Sequence, residues 1–231
     1  MSTTAALLKK FLPDSENPSL ENAVTFGSCM GPETAIFSNF CLLENPIELD
    51  GLKYPTAEHA FQAWYKLSRE ERTILSVDGE LGNEGGFSLF YNNAEAEKKR
   101  KFWGPTKTGR PAMLGILAKL AANRPHKIGL LTHERTNVHD EQSFKKLMKL
   151  FYVILKRKYS KNPVLLRKLV ATGDRYLLEF SRSARREANN GRPPLWSGLI
   201  QDGRLYGHNF MGRLHMALRD EIKKTISKRA A

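Results

Sequence analysis

Cysteine is scarce in this sequence and a long apolar run is missing, and both shortages exclude classes of protein. The two cysteines, Cys29 and Cys41, are too few for a disulfide framework and too far apart for a CxxC metal pair, so we expect two buried thiols. The most apolar segment, residues 147–155, contains Lys149 and is too short to span a bilayer. The first residues also lack the apolar core of a secretory signal. We therefore expect a cytoplasmic protein, with a nuclear location also open, that binds no membrane.

Several motifs of well-known enzymes are absent as well. The sequence contains no Walker loop and no GxSxG nucleophile turn. The adjacent Glu58 and His59 do not make a zincin motif, because no second histidine follows one turn after His59. The CxxC of a zinc deaminase is missing too. We therefore expect no metal site.

Positive charge is the strongest compositional feature. The 37 lysines and arginines outnumber the 24 acidic residues and give a formal net charge of +13. Such a charge attracts polyanions through long-range steering and counterion release, which favours nucleic acid or a phosphorylated metabolite as the partner. Taken singly, each basic cluster is more typical of a solvated helix face. The clusters lie at 98–101, 156–158, 182–186 and 223–229.

The hydropathy pattern predicts a mainly helical, single-domain α+β protein with a small antiparallel β element. A chain of 231 residues with 41% apolar residues can bury one sizeable core. We expect the domain to span residues 25–228 and residues 1–24 to form a leader, which is either flexible or docked through a short helix in "AALLKKFL". Two stretches rich in turn-forming residues, 78–93 and 181–207, are predicted to be long loops, and loops of that length are more often functional than not.

Turn and cap signals predict the individual elements. Asp50-Gly51 between two short β-type segments predicts a hairpin with a type I′ turn. Thr56 is the expected N-cap of the helix that follows, and Asp140 that of the longest helix. Helices are predicted over about 57–67, 94–103, 111–123 and 141–161, from 163 to near Thr172-Gly173, and from 209 onward.

The helix that follows Thr56 carries a polar stripe opposite its apolar face. On a helical wheel Glu58, Gln62 and Tyr65 fall on this stripe. Spacing alone is more typical of a solvent-exposed face. The competing interpretation is a polar pocket in which Glu58 acts as a general acid, a base or an electrostatic stabiliser. His59, beside the stripe, is expected to make a structural hydrogen bond.

A second candidate site is "GHNFMG" at residues 207–212, which precedes the basic last helix. Asn209 is a plausible N-cap, and the free amides of a helix start can bind a phosphate or a sugar hydroxyl. The alternative is a plain capped helix in which Gly212 permits close packing. Trp196 is either a stacking platform for a base or ribose ring or a core residue.

Four stretches, taken in order, resemble the NADAR family, also called the YbiA-like N-glycosidases. They are "FSNF" at Phe37 to Phe40, "PIELDGLKYPTAEHAFQA", "KYSKNPVLLRKLVATGDRYLLE" and "GHNFMGRLHMALR". The resemblance covers roughly residues 26–225, and the combination is more specific than any one stretch. It implies a mainly helical α+β fold, cleavage of an N-glycosidic bond to ribose, and no metal or organic cofactor.

The family's substrate classes are phosphoribosylamino-pyrimidine intermediates and ADP-ribose attached to guanine in nucleic acid. The resemblance therefore implies a ribosyl-phosphate or ADP-ribosyl partner. It also implies Glu58 as the catalytic residue, because such bonds break through an oxocarbenium-like state that a carboxylate stabilises. The substrate-binding residues that it implies are Phe37, Ser38, Asn39, Phe40, Gln62, Phe144, Trp196, Gly207 and Asn209.

The sequence departs from the family pattern at three positions, and at the first of them Phe144 stands where the family has a tryptophan. Tyr65 stands where the family has a lysine, so Lys66, one residue later, is the expected second catalytic residue. Pro193 stands where the family has an aspartate, which leaves Glu187 or Asp202 as substitutes. The alternative to an N-glycosidase is a catalytically degenerate module that binds ADP-ribose or a nucleotide. A nucleic-acid-binding structural protein is the third interpretation.

Overall fold

A computed structural model describes residues 4–12, 19–130 and 140–230 of the chain. Its helices are α1 (Thr4–Phe11), α2 (Pro32–Ala35), α3 (Ala57–Lys66), α4 (Asn93–Trp103), α5 (Ile116–Asn123), α6 (Glu141–Lys161), α7 (Pro163–Ala171), α8 (Ala184–Asn189) and α9 (Phe210–Ala230). Its strands are β1 (Val24–Phe26), β2 (Ile47–Leu49), β3 (Leu52–Tyr54), β4 (Leu177–Glu179), β5 (Gly198–Gln201) and β6 (Arg204–Gly207). The predicted mainly helical α+β class is confirmed. Within the described ranges no helix is both long and apolar enough to cross a membrane.

The chain folds into two compact units. Unit 1 consists of Met1–Gly27, Asn137–Tyr152 and Val164–Ala231, and unit 2 consists of Ser28–Thr136 and Val153–Pro163. The boundary between them falls inside α6, so this helix contributes residues to both. The helix that carries the Glu58 motif belongs to unit 2, and the "GHNFMG" segment belongs to unit 1.

In unit 2, β2 and β3 form the hairpin that the Asp50-Gly51 pair predicted. Ile47 lies opposite Tyr54, and both side chains are fully buried. Asp50 and Gly51 have φ angles of 50° and 75°, as a type I′ turn requires. The hairpin thus presents one face to the core and delivers the chain to the start of α3.

Helix α3 begins at its predicted cap and packs closely on α5. Thr56 Oγ1 accepts a hydrogen bond of 3.2 Å from the backbone N–H of His59, which satisfies one of the free amides of the first turn. Ala60 and Ala63 form the fully buried part of the apolar face. Side chains this small permit a close approach between helices, and α3 and α5 do lie close together.

The carboxyl end of α6 is tied to the loop before β2 by Asn162. Its side-chain amide donates to the carbonyl oxygens of Asn45 at 2.9 Å and Lys158 at 2.8 Å. Its Oδ1 accepts from the backbone N–H of Asn45 at 3.0 Å. Asn162 therefore satisfies a free carbonyl of the helix end. Pro163 begins α7 directly afterwards, as the Asn-Pro signal predicted.

Unit 1 contains a parallel strand pair that the sequence did not predict. In it β1 pairs with β4, with Val24 opposite Leu177 and Phe26 opposite Glu179. Each strand is three residues long, and the two are far apart in the sequence. Strands so short carry too few alternations to be recognised by their periodicity.

The stretch 181–207 is not the irregular loop that its composition predicted. It contains α8 and a hairpin formed by β5 and β6. The turn of this hairpin is Asp202-Gly203, with φ angles of 52° and 68°. The same Asp-Gly signal that identified the first hairpin was therefore present here, between "GLIQ" and "RLYG".

The short helix that the sequence allowed in the leader is present as α1. Leu7 and Leu8 are buried in unit 1. Lys10 forms an ion pair of 2.9 Å with Glu141 at the start of α6. Both side chains of this pair are substantially exposed, so it contributes little to stability.

Helix α5 begins at Ile116, about five residues later than predicted. The reason lies in the backbone amide of Gly115, which donates to the carbonyl oxygen of Phe40 at 3.1 Å. The segment before Ile116 therefore follows a loop of unit 2 and does not continue the helix.

Two smaller expectations also need correction. The predicted loop at 78–93 contains a 3-10 helix, Glu84–Leu89, which Asn83 caps by accepting from the backbone N–H of Gly85 at 2.8 Å. Of the two predicted buried thiols, Cys41 is buried but Cys29 is exposed.

Candidate active site

Glu58 lies in the first turn of α3 and is buried, with 8% of its surface exposed. Its backbone N–H donates to the carbonyl oxygen of Asn39 at 2.9 Å. An acidic side chain in the first turn of a helix is favoured by the helix dipole. Gln62, one turn later, is 7% exposed. The interpretation of this stripe as a solvated face is therefore wrong for both residues.

The carboxylate of Glu58 is held by the side chain of Gln62. Gln62 Nε2 donates a hydrogen bond of 2.7 Å to Glu58 Oε1. Because a carboxylate only accepts hydrogen bonds, this contact fixes which end of the Gln62 amide faces Glu58. The Gln62 oxygen points elsewhere.

Two amide oxygens next to Glu58 are buried without a hydrogen-bond partner among the described residues. They are Gln62 Oε1 and Asn39 Oδ1. A buried acceptor that makes no hydrogen bond costs about 1–3 kcal/mol, so such atoms call for a donor. Both oxygens belong to residues that hydrogen-bond to Glu58, so with the carboxylate they make up one cluster of acceptor-bearing residues. This cluster suits a ligand that is rich in O–H or N–H donors, such as a sugar.

The "FSNF" loop is fixed by a buried lysine that the sequence analysis assigned to a solvated cluster. Lys158 is 0% exposed, so that assignment is wrong for it. Its Nζ donates to the carbonyl oxygens of Phe37 at 3.1 Å and Ser38 at 3.0 Å. Ser38 Oγ in turn accepts from the backbone N–H of Phe40 at 3.2 Å. The side chains of Phe37 and Ser38 are themselves buried, so they support the loop from within.

The next two carbonyl groups of the loop are also used. The carbonyl oxygen of Asn39 accepts from the N–H of Glu58, and that of Phe40 accepts from the N–H of Gly115. All four carbonyls of "FSNF" therefore hold neighbouring elements in place. Among the four side chains, Phe40 is half-buried and Asn39 carries an oxygen with no hydrogen-bond partner among the described residues, so these two are the candidates for contact with a ligand.

Gly115 is the point at which α5 touches the site. A methyl group at this position would lie 2.5 Å from Phe40 Cα, 3.0 Å from Thr56 Oγ1 and 3.1 Å from Glu58 Cβ. The 2.5 Å contact with a backbone atom would force that backbone to shift, so the packing favours glycine here. The close approach brings α5, α3 and the "FSNF" loop together around Glu58.

His59 makes the structural hydrogen bonds that the sequence analysis expected. Its ring is fully buried, with Nε2 donating to the carbonyl oxygen of Leu81 at 3.0 Å and Nδ1 accepting from Thr56 Oγ1 at 2.8 Å. Burial lowers the pKa of His59 to about 4. The ring is therefore neutral near pH 7 and anchors α3.

Tyr65 and Lys66 are the last two residues of α3. The backbone of Lys66 closes the helix, but its side chain lies outside the described residues, so its catalytic role stays a prediction. Tyr65 stacks on Phe61, with ring centroids 5.0 Å apart and an interplanar angle of 18°.

Phe144 and Trp196 lie in an aromatic cluster of unit 1. Phe144 is fully buried and meets Phe210 edge to face at 5.7 Å. Trp196 is half-buried, and its ring centroid lies 5.3 Å from that of Phe210 and 5.2 Å from that of Phe151. These contacts are typical of core packing. Substrate binding by either residue stays a prediction.

Asn209 uses its side chain to hold β4. Its Nδ2 donates to the carbonyl oxygen of Leu177 at 2.7 Å, and its Oδ1 accepts from the N–H of Glu179 at 3.0 Å. Gly207, nearby, has a φ of 94°, and a methyl group there would lie 2.5 Å from the carbonyl oxygen of Ser197. The hydrogen bonds of Asn209 and the close packing at Gly207 thus explain why these residue types stand there. A ligand-binding role for either residue stays a prediction.

The start of α9 does not offer the free amides that were expected of it. The N–H of Phe210 donates to the carbonyl oxygen of Leu195 at 3.0 Å, and that of Met211 donates to Trp196 at 3.1 Å. The expectation of a phosphate site at these two amides is therefore wrong. A methyl group at Gly212 would lie 2.1 Å from the carbonyl oxygen of Leu177, which confirms the alternative of close packing.

The two acidic residues considered as substitutes for the family's aspartate also lie in unit 1. Asp202 is in the turn between β5 and β6, with its side chain 72% exposed and 3.7 Å from the guanidinium of Arg185. Glu187 is half-buried on α8. Whether either residue takes the place of the family's aspartate stays a prediction.

Lys158 and Gly115 are the site residues that the sequence analysis missed. A signal existed for the lysine, because Lys158 follows Phe151 and Leu155 on the apolar stripe of α6. A charged residue on such a stripe indicates a buried polar contact. No comparable signal existed for Gly115. In the part of the chain that the structure describes, no group of three His, Cys, Asp or Glu side chains is placed to hold a metal ion.

Comparison with known proteins gives one relevant similarity of fold. No protein-family profile matches the chain, and no curated protein does. The NMR structure of the E. coli protein YbiA is similar, with a TM-score of 0.50 and 18% sequence identity. The similarity covers 96% of this chain and 94% of that chain. The chain therefore has a YbiA-like fold.

Proposed function

We propose that the protein is an N-glycosidase of the NADAR type, which hydrolyses an N-glycosidic bond to ribose with Glu58 as its catalytic carboxylate. The observation that carries the proposal is the cluster around Glu58. The residue is buried, its backbone is held by Asn39 and its carboxylate by Gln62. The YbiA-like fold and the four stretches that resemble the NADAR family support the same assignment.

The chemistry requires a carboxylate in this setting. As the bond between C1 of the ribose and the base nitrogen breaks, positive charge develops on C1 and the ring oxygen. The carboxylate of Glu58 stabilises that charge, and the effect is larger in a buried site than in water. The oxygen of a water molecule then bonds to C1, and one proton of that water passes to the departing base nitrogen, so the products are a free ribose hydroxyl at C1 and the free base.

The ribose is recognised through hydroxyl donors. Its hydroxyl groups donate to Asn39 Oδ1 and Gln62 Oε1, the two buried oxygens that otherwise lack a partner among the described residues. Substrate binding thus gives these two buried oxygens hydrogen-bond donors. It removes the free-energy cost of keeping them away from water without a partner. With the hydroxyls bound in this way, we expect C1 of the ribose to lie next to the carboxylate of Glu58.

Two substrate classes follow from the proposal. One is ADP-ribose attached to a nucleic-acid base, and the other is a phosphoribosylamino-pyrimidine. The net charge of +13 favours the nucleic-acid substrate, because a basic surface attracts a polyanion.

A product assay tests the proposal. The full chain is incubated with an ADP-ribosylated oligonucleotide and, separately, with a phosphoribosylamino-pyrimidine, and the products are separated by chromatography. We expect free ADP-ribose from the first substrate or free base from the second. Failure to cleave either substrate contradicts the proposal.

The second candidate function is a binding module for ADP-ribose or a nucleotide. It is favoured by Tyr65, which replaces the family's lysine and stacks on Phe61. Calorimetry with ADP-ribose, run beside the product assay, separates the two functions. A binding module gives heat without any product.

A further inference from the structure

Lys119 lies next to the candidate site but belongs to none of the motifs described above. It is an exposed residue of α5, one turn after Gly115, and its N–H bonds to the Gly115 carbonyl oxygen at 3.2 Å. Residues one turn apart share a helix face. Lys119 therefore projects from the same face of α5 that meets Glu58 and Phe40.

The ammonium group of Lys119 sits at the exposed edge of the site. Its Nζ lies 5.4 Å from the centroid of the Phe40 ring. Phe40 is half-buried and directly follows Asn39, whose Oδ1 is one of the two unpartnered acceptors. Lys119 forms no ion pair of 4 Å or less with an acidic side chain within the described ranges.

The candidate site has an inner part and an outer part, which suit different chemical groups of a ligand. The inner part, at Asn39, Gln62 and Glu58, offers acceptors and a negative charge. Such groups suit hydroxyl donors and repel a phosphate. The outer part offers the cation of Lys119 against an aromatic ring, and a lysine ammonium is a common phosphate ligand.

We propose that Lys119 binds the 5′-phosphate of the ribosyl substrate, with the ribose hydroxyls directed inward to Asn39 and Gln62. The inference rests on the proposed function for the ribose, and adds to it a residue that selects phosphorylated ligands. Phosphorylated ribosyl compounds are therefore preferred over their free ribosyl counterparts.

Protein-observed NMR titration of the full chain tests this assignment. The probes are ribose 5-phosphate, ribose and inorganic phosphate, each added at low salt because screening weakens the attraction. The variants are Lys119→Gln and Lys119→Arg. Lys127→Gln, which removes an exposed lysine from the adjacent 3-10 helix Pro125–Ile128, is the matched control.

We expect Lys119→Gln to weaken ribose 5-phosphate binding roughly five- to tenfold, which is the range for losing a charged hydrogen bond at a partly solvated site. Ribose binding should not change. Lys119→Arg should restore most of the affinity, and Lys127→Gln should behave as the unmodified protein does. Inorganic phosphate alone should bind more weakly than ribose 5-phosphate.

Three results overturn the assignment. One is ribose 5-phosphate binding no more tightly than ribose to the unmodified protein. Another is an equal loss in the Lys119 and Lys127 glutamine variants, which indicates a general charge effect. The last is unchanged binding in Lys119→Gln. Because ribose 5-phosphate is not hydrolysed, this readout does not depend on turnover. Absence of glycosidase activity with a Lys119-dependent phosphate preference therefore contradicts the proposed reaction and leaves the phosphate site standing.

Discussion

Gln62 donates a hydrogen bond of 2.7 Å from its side-chain amide to Glu58 Oε1, one turn earlier on α3. Both side chains are buried, so the contact is shielded from competing water. The hydrogen bond from Gln62 therefore orients the carboxylate of Glu58 on the polar face of this amphipathic helix.

Replacing Gln62 with methionine tests whether this orientation matters. Methionine keeps the length of the side chain but donates no hydrogen bond to Glu58. We expect kcat to fall about tenfold, equivalent to roughly 1.4 kcal/mol of transition-state stabilisation. Gln142→Met, at an exposed position of α6, is the control and should keep full activity. Unchanged kcat in the Gln62 variant would show that the carboxylate needs no such support.

Gly115→Ala tests the close packing of α5 on the site. The added methyl group meets Phe40 Cα at 2.5 Å, and a backbone atom cannot move away cheaply. We expect the free energy of unfolding to fall by about 1–3 kcal/mol, the usual cost of overpacking. Chemical denaturation measures the loss. Gly31→Ala is the matched control, because no described atom lies within 4 Å of the added methyl group there.

Lys158→Met tests the buried support of the "FSNF" loop. The change removes the Nζ donor from the carbonyl oxygens of Phe37 and Ser38, of which Ser38 keeps the backbone N–H of Cys41 at 3.3 Å. We expect a loss of roughly 2 kcal/mol or more of unfolding free energy, because each buried acceptor that loses its donor costs about 1–3 kcal/mol. Lys161→Met, an exposed lysine of the same helix, should unfold as the unmodified protein does. Equal stability of the two variants contradicts the supporting role of Lys158.

His59 predicts a specific loss of stability at low pH. Burial lowers the pKa of His59 from the ordinary 6.5 to about 4. Between these two values the unfolded chain binds a proton at His59 and the folded chain does not. The free energy of unfolding therefore falls as the pH falls from 6.5 to about 4, by about 3 kcal/mol in total from this group.

Denaturation curves across this pH window check the prediction. The slope should flatten in His59→Gln and persist in His126→Gln, which replaces an exposed histidine. Because a substitution at a fully buried position can prevent folding, NMR titration of the His59 ring in the unmodified protein is the second measurement. A ring that titrates near 6.5 contradicts the prediction.

Local signals in the sequence were enough for much of the fold. Asp50-Gly51, the Thr56 cap and the Asn162-Pro163 break each depend on neighbouring residues, and each was predicted correctly. The pairing of β1 with β4 depends on residues about 150 positions apart and has no local signal. The late start of α5 likewise follows from a distant contact, between Gly115 and Phe40.

The candidate site shows the same division. Residue types and spacing identified Glu58 and Gln62 as candidates, but spacing alone favoured a solvated face. The burial of α3 depends on elements from other parts of the chain that pack over it, and the spacing within α3 does not reveal them. Lys158 was assigned to a basic cluster for the same reason. Its partners, the carbonyls of Phe37 and Ser38, lie about 120 residues away. Side-chain contacts across such distances are not encoded in a local pattern.

The rate of product release by Glu58→Gln is the most direct test of the central claim. Glutamine keeps the shape of the side chain and an oxygen for Gln62 but carries no negative charge. With the ADP-ribosylated oligonucleotide or the phosphoribosylamino-pyrimidine that the unmodified protein cleaves, we expect kcat to fall about 10²- to 10⁴-fold. Affinity for ADP-ribose should remain within a few-fold of the original, and Glu44→Gln, at an exposed position, should keep full activity. A Glu58→Gln protein that releases product at the unmodified rate contradicts the assignment of Glu58 as the catalytic carboxylate.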